Sequence, residues 1–278
     1  MTERQCTLKT SAGMRGRGLH TGEECGLTIL PAAPDVGIVF ATRQGEIRAS
    51  VENVRDTLRG TTLGSGKAEV HTVEHLLAAL AGMSVDNARI EIDGPEIPAG
   101  DGSALPFVEL IESAGIVEQE ADARIRVLTE PEWALDGGKC AFAAPHDGFR
   151  ANVLISFQHP LIGEQALSVN INPETFKREI APARTFCTSD EIEAILSQGL
   201  GKGGSEDNVI VVHEYHYSVP LRLADEFVRH KALDLIGDLA LVSGRLHANV
   251  TAVRTSHSLN VALADKIARR LAEKRQGG

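Results

Sequence analysis

The period of hydrophobic and polar positions changes several times along the chain, and each change marks an element. Residues 6–42 alternate with a period of two, as strands with one buried face do. The glycine-rich stretch 12–22 interrupts them, and His20 projects from it as a candidate substrate contact. Over 70–83 the period becomes helical, with Val73, Leu76, Leu77, Leu80 and Ala81 on one stripe and Gly82 near the end. A strand over 87–92, a loop over 96–103 and a helix over 104–114 complete the first half. The second half repeats that order, with strands across 125–171, a helix over 223–242, a strand over 248–254 and an amphipathic helix over 259–274.

The repeat predicts an α+β fold of two similar domains, each a sheet with layered helices, related by internal duplication. The charged, proline-containing stretch 121–134 places the boundary between them, giving domains of 1–122 and 123–278. One segment has no counterpart in the first half. Thr188 and Glu191 form a capping-box pattern, Ile192, Ile195 and Leu196 give a short apolar face, and Gly199 gives a stop. A glycine-rich run from Leu200 to Ser205 follows, and 209–212 reads as a strand. A strand-helix-strand insertion over 187–212 is therefore expected in the second domain.

Two stretches far apart carry metal-ligand residue types at helical spacing. His71, Glu74 and His75 fall in the first predicted helix, and His230, Lys231 and Asp234 fall in the helix over 223–242. Side chains four apart on a helix are neighbours, so His230 and Asp234 can grip one cation, while Glu74 beside His75 can act on a water held by it. A catalytic zinc takes three protein ligands and keeps a fourth position for water, whose pKa falls to about 7. His75, His230 and Asp234 supply the three, and Glu74 would accept the water's proton. The stretch 255–260 adds His257. A rival reading takes the H-x-x-E-H pattern of inverzincin peptidases, with His71 and His75 as the ligand pair. The second pair on its own helix would then leave too many donors for one ion, which favours His71 as a surface or supporting residue.

Composition narrows the class further. With 42% apolar and 24% charged residues the chain reads as an ordinary globular protein rather than a disordered one. A formal charge of −10 argues against a nucleic-acid partner, so an anionic substrate would need a local basic pocket. Cys6, Cys25, Cys140 and Cys187 are scattered with no C-x-x-C pair, as expected of free thiols in a reducing cytosol. The N-terminus lacks the apolar core of a signal peptide, and no run approaches the ~18 to 20 apolar residues of a transmembrane segment. A cytoplasmic protein is expected; the pattern does not specify an oligomer, and a monomer is the simpler expectation.

Several motifs in register carry a family resemblance: GLHTG (18–22), TVEHL (72–76), DGSA (101–104), ARTF (183–186), GGS (203–205), DEFVRHKALD (225–234) with IGD (236–238), and HSLN (257–260). Together they resemble the LpxC family, the UDP-3-O-acyl-N-acetylglucosamine deacetylases. The resemblance implies zinc on His75, His230 and Asp234, Glu74 as general base, and His257 as a histidine acid oriented by Asp238. It implies that Thr185 hydrogen-bonds the developing oxyanion and that Lys231 sits near the substrate. Phe157, Lys139 and Arg254 are similar to positions that in this family meet the uracil, the nucleotide phosphates and the glucosamine surroundings. The family's apolar acyl tunnel would correspond to the insertion, with Ile192, Ile195, Leu196 and Leu200.

The implied reaction is zinc-dependent removal of the N-acetyl group of an acylated UDP-amino-sugar, releasing acetate at the committed step toward lipid A. The chain departs from the family at Ser256, where glycine is usual, at Ser156, where an acidic residue often contacts uridine, and in a shortened stretch over 212–220. Two other readings are another zinc amidase or an H-x-x-E-H peptidase, and a catalytically idle sugar-nucleotide binding protein.

Overall fold

The computed structural model describes residues 3–276. The alternating residues of the first half form a five-stranded sheet from Ala12–Arg17, Glu24–Pro31, Ile38–Thr42, Gly45–Arg48 and Ala88–Ile92. Its fifth strand lies between the second and third, antiparallel to the former and parallel to the latter. The second half builds the same arrangement from Glu132–Asp136, Lys139–Pro145, Phe149–Ser156, Glu164–Ile171 and Arg245–Val253, again with the fifth strand between the second and third. There too it is antiparallel to the second strand and parallel to the third. A sixth strand, Ile125–Val127, adds to this sheet alongside Arg245–Val253.

Helices occupy matching places in the two halves. Helix α1 (Glu74–Gly82) precedes the central strand of the first sheet and α2 (Leu105–Ala114) follows it. After α3 (Pro173–Thr175), a single turn, and α4 (Ile192–Ser197), α5 (Glu226–Leu239) precedes the central strand of the second sheet and α6 (His257–Gln276) follows it. The matched order is an α+β fold with internal duplication. Nearly every residue of α1 and α5 is buried, because the two helices pack on each other between the sheets. Gly237 allows this approach, since a Cβ there would collide with the carbonyl oxygen of Glu74. One continuous hydrophobic core therefore runs through both halves.

The insertion has the expected strands and helix: Phe186–Thr188 pairs in parallel with Ile210–Val212, and α4 lies between them in sequence. Thr188 and Glu191 make both hydrogen bonds of a capping box.

The helix predicted over 70–83 is shorter at its start. Ala68–Val70 is a strand paired with Thr62–Ser65, and Thr72 has a φ of +58°, which no helix accommodates. The structure thus begins α1 at Glu74, and His71 does not share a helical face with His75. Among the described residues, no helix is long and apolar enough to cross a membrane.

Candidate active site

The crossing of α1 and α5 brings side chains from both halves together. His75 comes from the first turn of α1, and His230 and Asp234 come from adjacent turns of α5. Asp234 Oδ1 lies 3.6 Å from His75 Nε2 and 3.4 Å from His230 Nε2, and the two rings stand perpendicular. One donor atom from each of the three residues lies within 4.8 Å of the others.

The polar bookkeeping around this trio fits a cation. Asp234 Oδ2 accepts from Lys231 Nζ at 2.7 Å, whereas Oδ1 is buried without a hydrogen-bond partner. Such an orphaned acceptor costs about 1–3 kcal/mol unless something else satisfies it. His230 Nδ1 donates to the Ala183 carbonyl at 3.1 Å, which leaves the Nε2 lone pair directed at Asp234 Oδ1. Burial drives the His230 pKa down to about 3 against the pull of Asp234, so the ring is neutral. Burial alone would raise Asp234, but Lys231, His230 and His257 outweigh it and hold the carboxyl well below its ordinary range. Two imidazoles and a carboxylate form a donor set that suits a transition metal.

Two titratable groups flank the trio. Glu74 is buried, and Thr61 N–H donates to its Oε2 at 2.8 Å. Burial raises its pKa, with His257 and His75 pulling the other way. His257 Nδ1 donates to Asp238 Oδ2 at 3.0 Å. Burial would lower the imidazole, but Asp238 and Asp234 raise it to about 9, so it is cationic at neutral pH. Asp238 also accepts from Asn260 Nδ2 at 2.9 Å and from Thr61 Oγ1 at 2.6 Å.

These groups open into a cavity of about 570 Å³ with walls from both halves of the chain. His20, Glu74, His75, Thr185, His230, Lys231, Asp234 and His257 line one part of it, and Phe157, Ile192, Ile195 and Leu196 lie on its wall with Val209 and Val211. Phe157 sits just past the end of its strand with its ring against Phe186, so it is a wall residue rather than a strand-core one. Leu200 is not on the wall, because its amide turns back to the Ile195 carbonyl after the left-handed Gly199. Lys139 and Arg254 also lie off the wall; Arg254 neighbours Gly138 at the ends of adjacent strands. The ring of His71 meets Thr62 Oγ1 at 3.0 Å and Glu69 at 3.3 Å and does not join the trio.

A second cavity, about 560 Å³, lies between the halves around Asp86 and Arg245 and contains none of the predicted residues. Its Arg245 is already paired with Asp86 and Glu3.

Three supports went unread in the sequence. Buried Glu96 accepts from the amides of His20 and Thr21 and from the hydroxyls of Thr21 and Thr72, clamping the 18–22 turn to the segment before α1. Burial would raise its pKa, but these donors together lower it. Arg184 and Glu226 form a buried pair, with Nε to Oε1 at 2.8 Å and Nη2 to Oε2 at 3.2 Å. That pair fixes the start of α5 to the segment holding Ala183 and Thr185. Thr61 is the third. Arg184 and Glu226 lie inside the motifs at 183–186 and 225–234, whereas Glu96 and Thr61 lie outside every motif, and in each case only a long-range partner converts the residue into a role.

A duplicated α+β fold whose halves meet over a buried imidazole–imidazole–carboxylate group, flanked by a carboxylate and a cationic imidazole, fits a metalloenzyme. The family model of LpxC, described as UDP-3-O-acyl N-acetylglycosamine deacetylase, matches residues 5–269. A protein named UDP-3-O-acyl-N-acetylglucosamine deacetylase from Anaeromyxobacter sp. (strain Fw109-5) is 46% identical over 267 residues, covering 95% of this chain and 88% of its own length. Proteins of the same name from Myxococcus xanthus (strain DK1622) and Bdellovibrio bacteriovorus are 45% and 40% identical over 269 residues, each covering 95% of this chain and 86% and 89% of their own lengths. The chain belongs to the LpxC family of deacetylases.

Proposed function

We propose that this protein hydrolyses the N-acetyl group of UDP-3-O-acyl-N-acetylglucosamine, releasing acetate, with zinc held by His75, His230 and Asp234. The observation that carries the reading is the unpaired, buried Asp234 Oδ1 facing two imidazole nitrogens in a cavity lined by both halves of the chain. Zinc bound there would supply Lewis acidity, polarising the amide carbonyl and making water nucleophilic at neutral pH. Glu74 takes the proton of the attacking water; its burial favours a carboxylate basic enough for the task. Cationic His257, held by Asp238, stabilises the oxyanion together with the Thr185 hydroxyl and then protonates the leaving amine.

Lys231, besides binding Asp234, supplies positive charge to a cavity of an otherwise acidic chain. The apolar wall of Ile192, Ile195 and Leu196 takes the acyl chain, and Phe157 and His20 meet the head of the substrate. Lys139 and Arg254 bind the sugar-nucleotide portion where it extends beyond the wall. The reaction is read as the committed step toward lipid A, carried out in the cytoplasm by a monomer.

Acetate release should be measured from acylated and unacylated UDP-N-acetylglucosamine, with zinc-loaded and chelator-treated protein. The reading expects one acetate per acylated substrate, little from the unacylated one, and none after chelation. A zinc-loaded protein that releases no acetate from the acylated substrate would refute it.

A further inference from the structure

Thr61 is fully buried, and its amide, hydroxyl and carbonyl are all engaged. Its amide donates to Glu74 Oε2 at 2.8 Å, its hydroxyl donates to Asp238 Oδ1 at 2.6 Å, and its carbonyl accepts from Val73 N–H at 3.1 Å just ahead of α1. Glu74 belongs to the first half and Asp238 to the second, 177 residues from Thr61 in sequence. The adjoining Gly60 leaves little slack, since a Cβ there would lie 3.1 Å from Glu74 Oε1. The other oxygen of Asp238 is engaged by His257 and Asn260, so the Thr61 hydroxyl sets the rotation of the carboxylate that orients His257.

We propose that Thr61 is a positioning residue that ties Glu74 of the first domain to the Asp238–His257 pair of the second. Base and acid thereby keep one fixed separation. The inference rests on the reaction proposed above, in which Glu74 and His257 act on the same bond. A residue that acts through two carboxylates, its amide on Glu74 and its hydroxyl on Asp238, without touching substrate, affects turnover rather than binding.

Thr61→Val keeps the backbone and shape and removes only the hydroxyl. In the metal-loaded full chain, kcat should fall on the order of tenfold to a hundredfold with KM within about twofold and metal content unchanged. Thr61→Ser should recover most of the rate. A second readout needs no turnover: the downfield proton resonance of His257 Nδ1–H should shift or broaden in Thr61→Val and return in Thr61→Ser. A normal rate in Thr61→Val, or a Thr61→Ser variant as slow as Thr61→Val, overturns the proposal. Thr61→Ala removes the same hydroxyl without placing a methyl against Asp238, and decides the matter if the valine variant does not fold. Failure of both to fold makes Thr61 a requirement of the fold and overturns its assignment as a positioning residue. If wild type holds metal yet releases no acetate, the proposed reaction fails by itself, because the resonance still reports whether Thr61 sets the geometry of His257.

Discussion

Helices α1 and α5 occupy equivalent places in the two halves, yet they contribute to the site in different ways. The shorter α1, 9 residues long, offers Glu74 and His75 from its first turn, where the free backbone amides of a helix start are electropositive. The 14-residue α5 offers His230, Asp234 and Asp238 from successive turns along one face. Neither half by itself supplies all three members of the His75, His230 and Asp234 group. The duplication supplies a frame that crosses two buried helices at close range, and the divergence between them supplies the chemistry. In the proposed reaction a base and one ligand come from the first half, while two ligands and the acid with its partner come from the second.

The sharpest way to break this division is to empty each side in turn. His230→Ala and Asp234→Ala should each drop bound metal from about one per chain to a small fraction and lower activity by on the order of 10³-fold, as should His75→Ala from the other half. Metal analysis of the purified variants checks this. Full occupancy in either α5 variant would show that the halves do not share one ion.

Next in size are the flanking groups. Glu74→Gln and His257→Gln should keep the metal and lose roughly 10²-fold in kcat. The pH profile should fall on its basic side in wild type, and that limb should be altered in His257→Gln.

In metal-free protein the same histidine has a second signature. Its folded pKa, about 9, exceeds its ordinary 6.5, so its contribution to stability is complete below pH 6.5 and is lost as pH rises through 9. Melting temperatures from pH 6 to 10 should show that decline in wild type, and a flat response there in His257→Gln would confirm the source.

The crossing itself should tolerate little. Gly237→Ala, which drives a methyl against the Glu74 carbonyl, should destabilise the protein by about 1–3 kcal/mol in denaturant titration, whereas a change within about 0.5 kcal/mol would mean that the helices can part.

Effects on selectivity come next. Each buried methylene contributes roughly 0.8 kcal/mol, so Ile195→Trp should shift specificity toward shorter acyl chains, while Leu200→Trp, off the wall, should leave the chain-length profile nearly as it is. Equal shifts in both would contradict the position of Leu200. The smallest expected change is in His71→Ala, which should retain metal and most activity; loss of metal there would restore the peptidase-type pairing with His75.

Much of this comparison was legible in residue order. The spacing of His230 and Asp234 put them on one helix face, and the capping-box pair Thr188 and Glu191 announced the insertion helix, because both are contacts within about one helical turn. The alternation and its repeat in the second half fixed the class of fold, since burial of one sheet face imposes a period of two wherever it occurs. Only the tertiary structure decided where α1 begins, because the left-handed Thr72 is stabilised by Glu96 from another loop rather than by its neighbours. It alone placed Leu200 off the cavity wall and set Thr61 between Glu74 and Asp238. Periodicity records which face of an element is buried. A single hydrogen bond between residues 177 apart leaves no period in the chain, and exists only once two helices from different halves have been brought across each other.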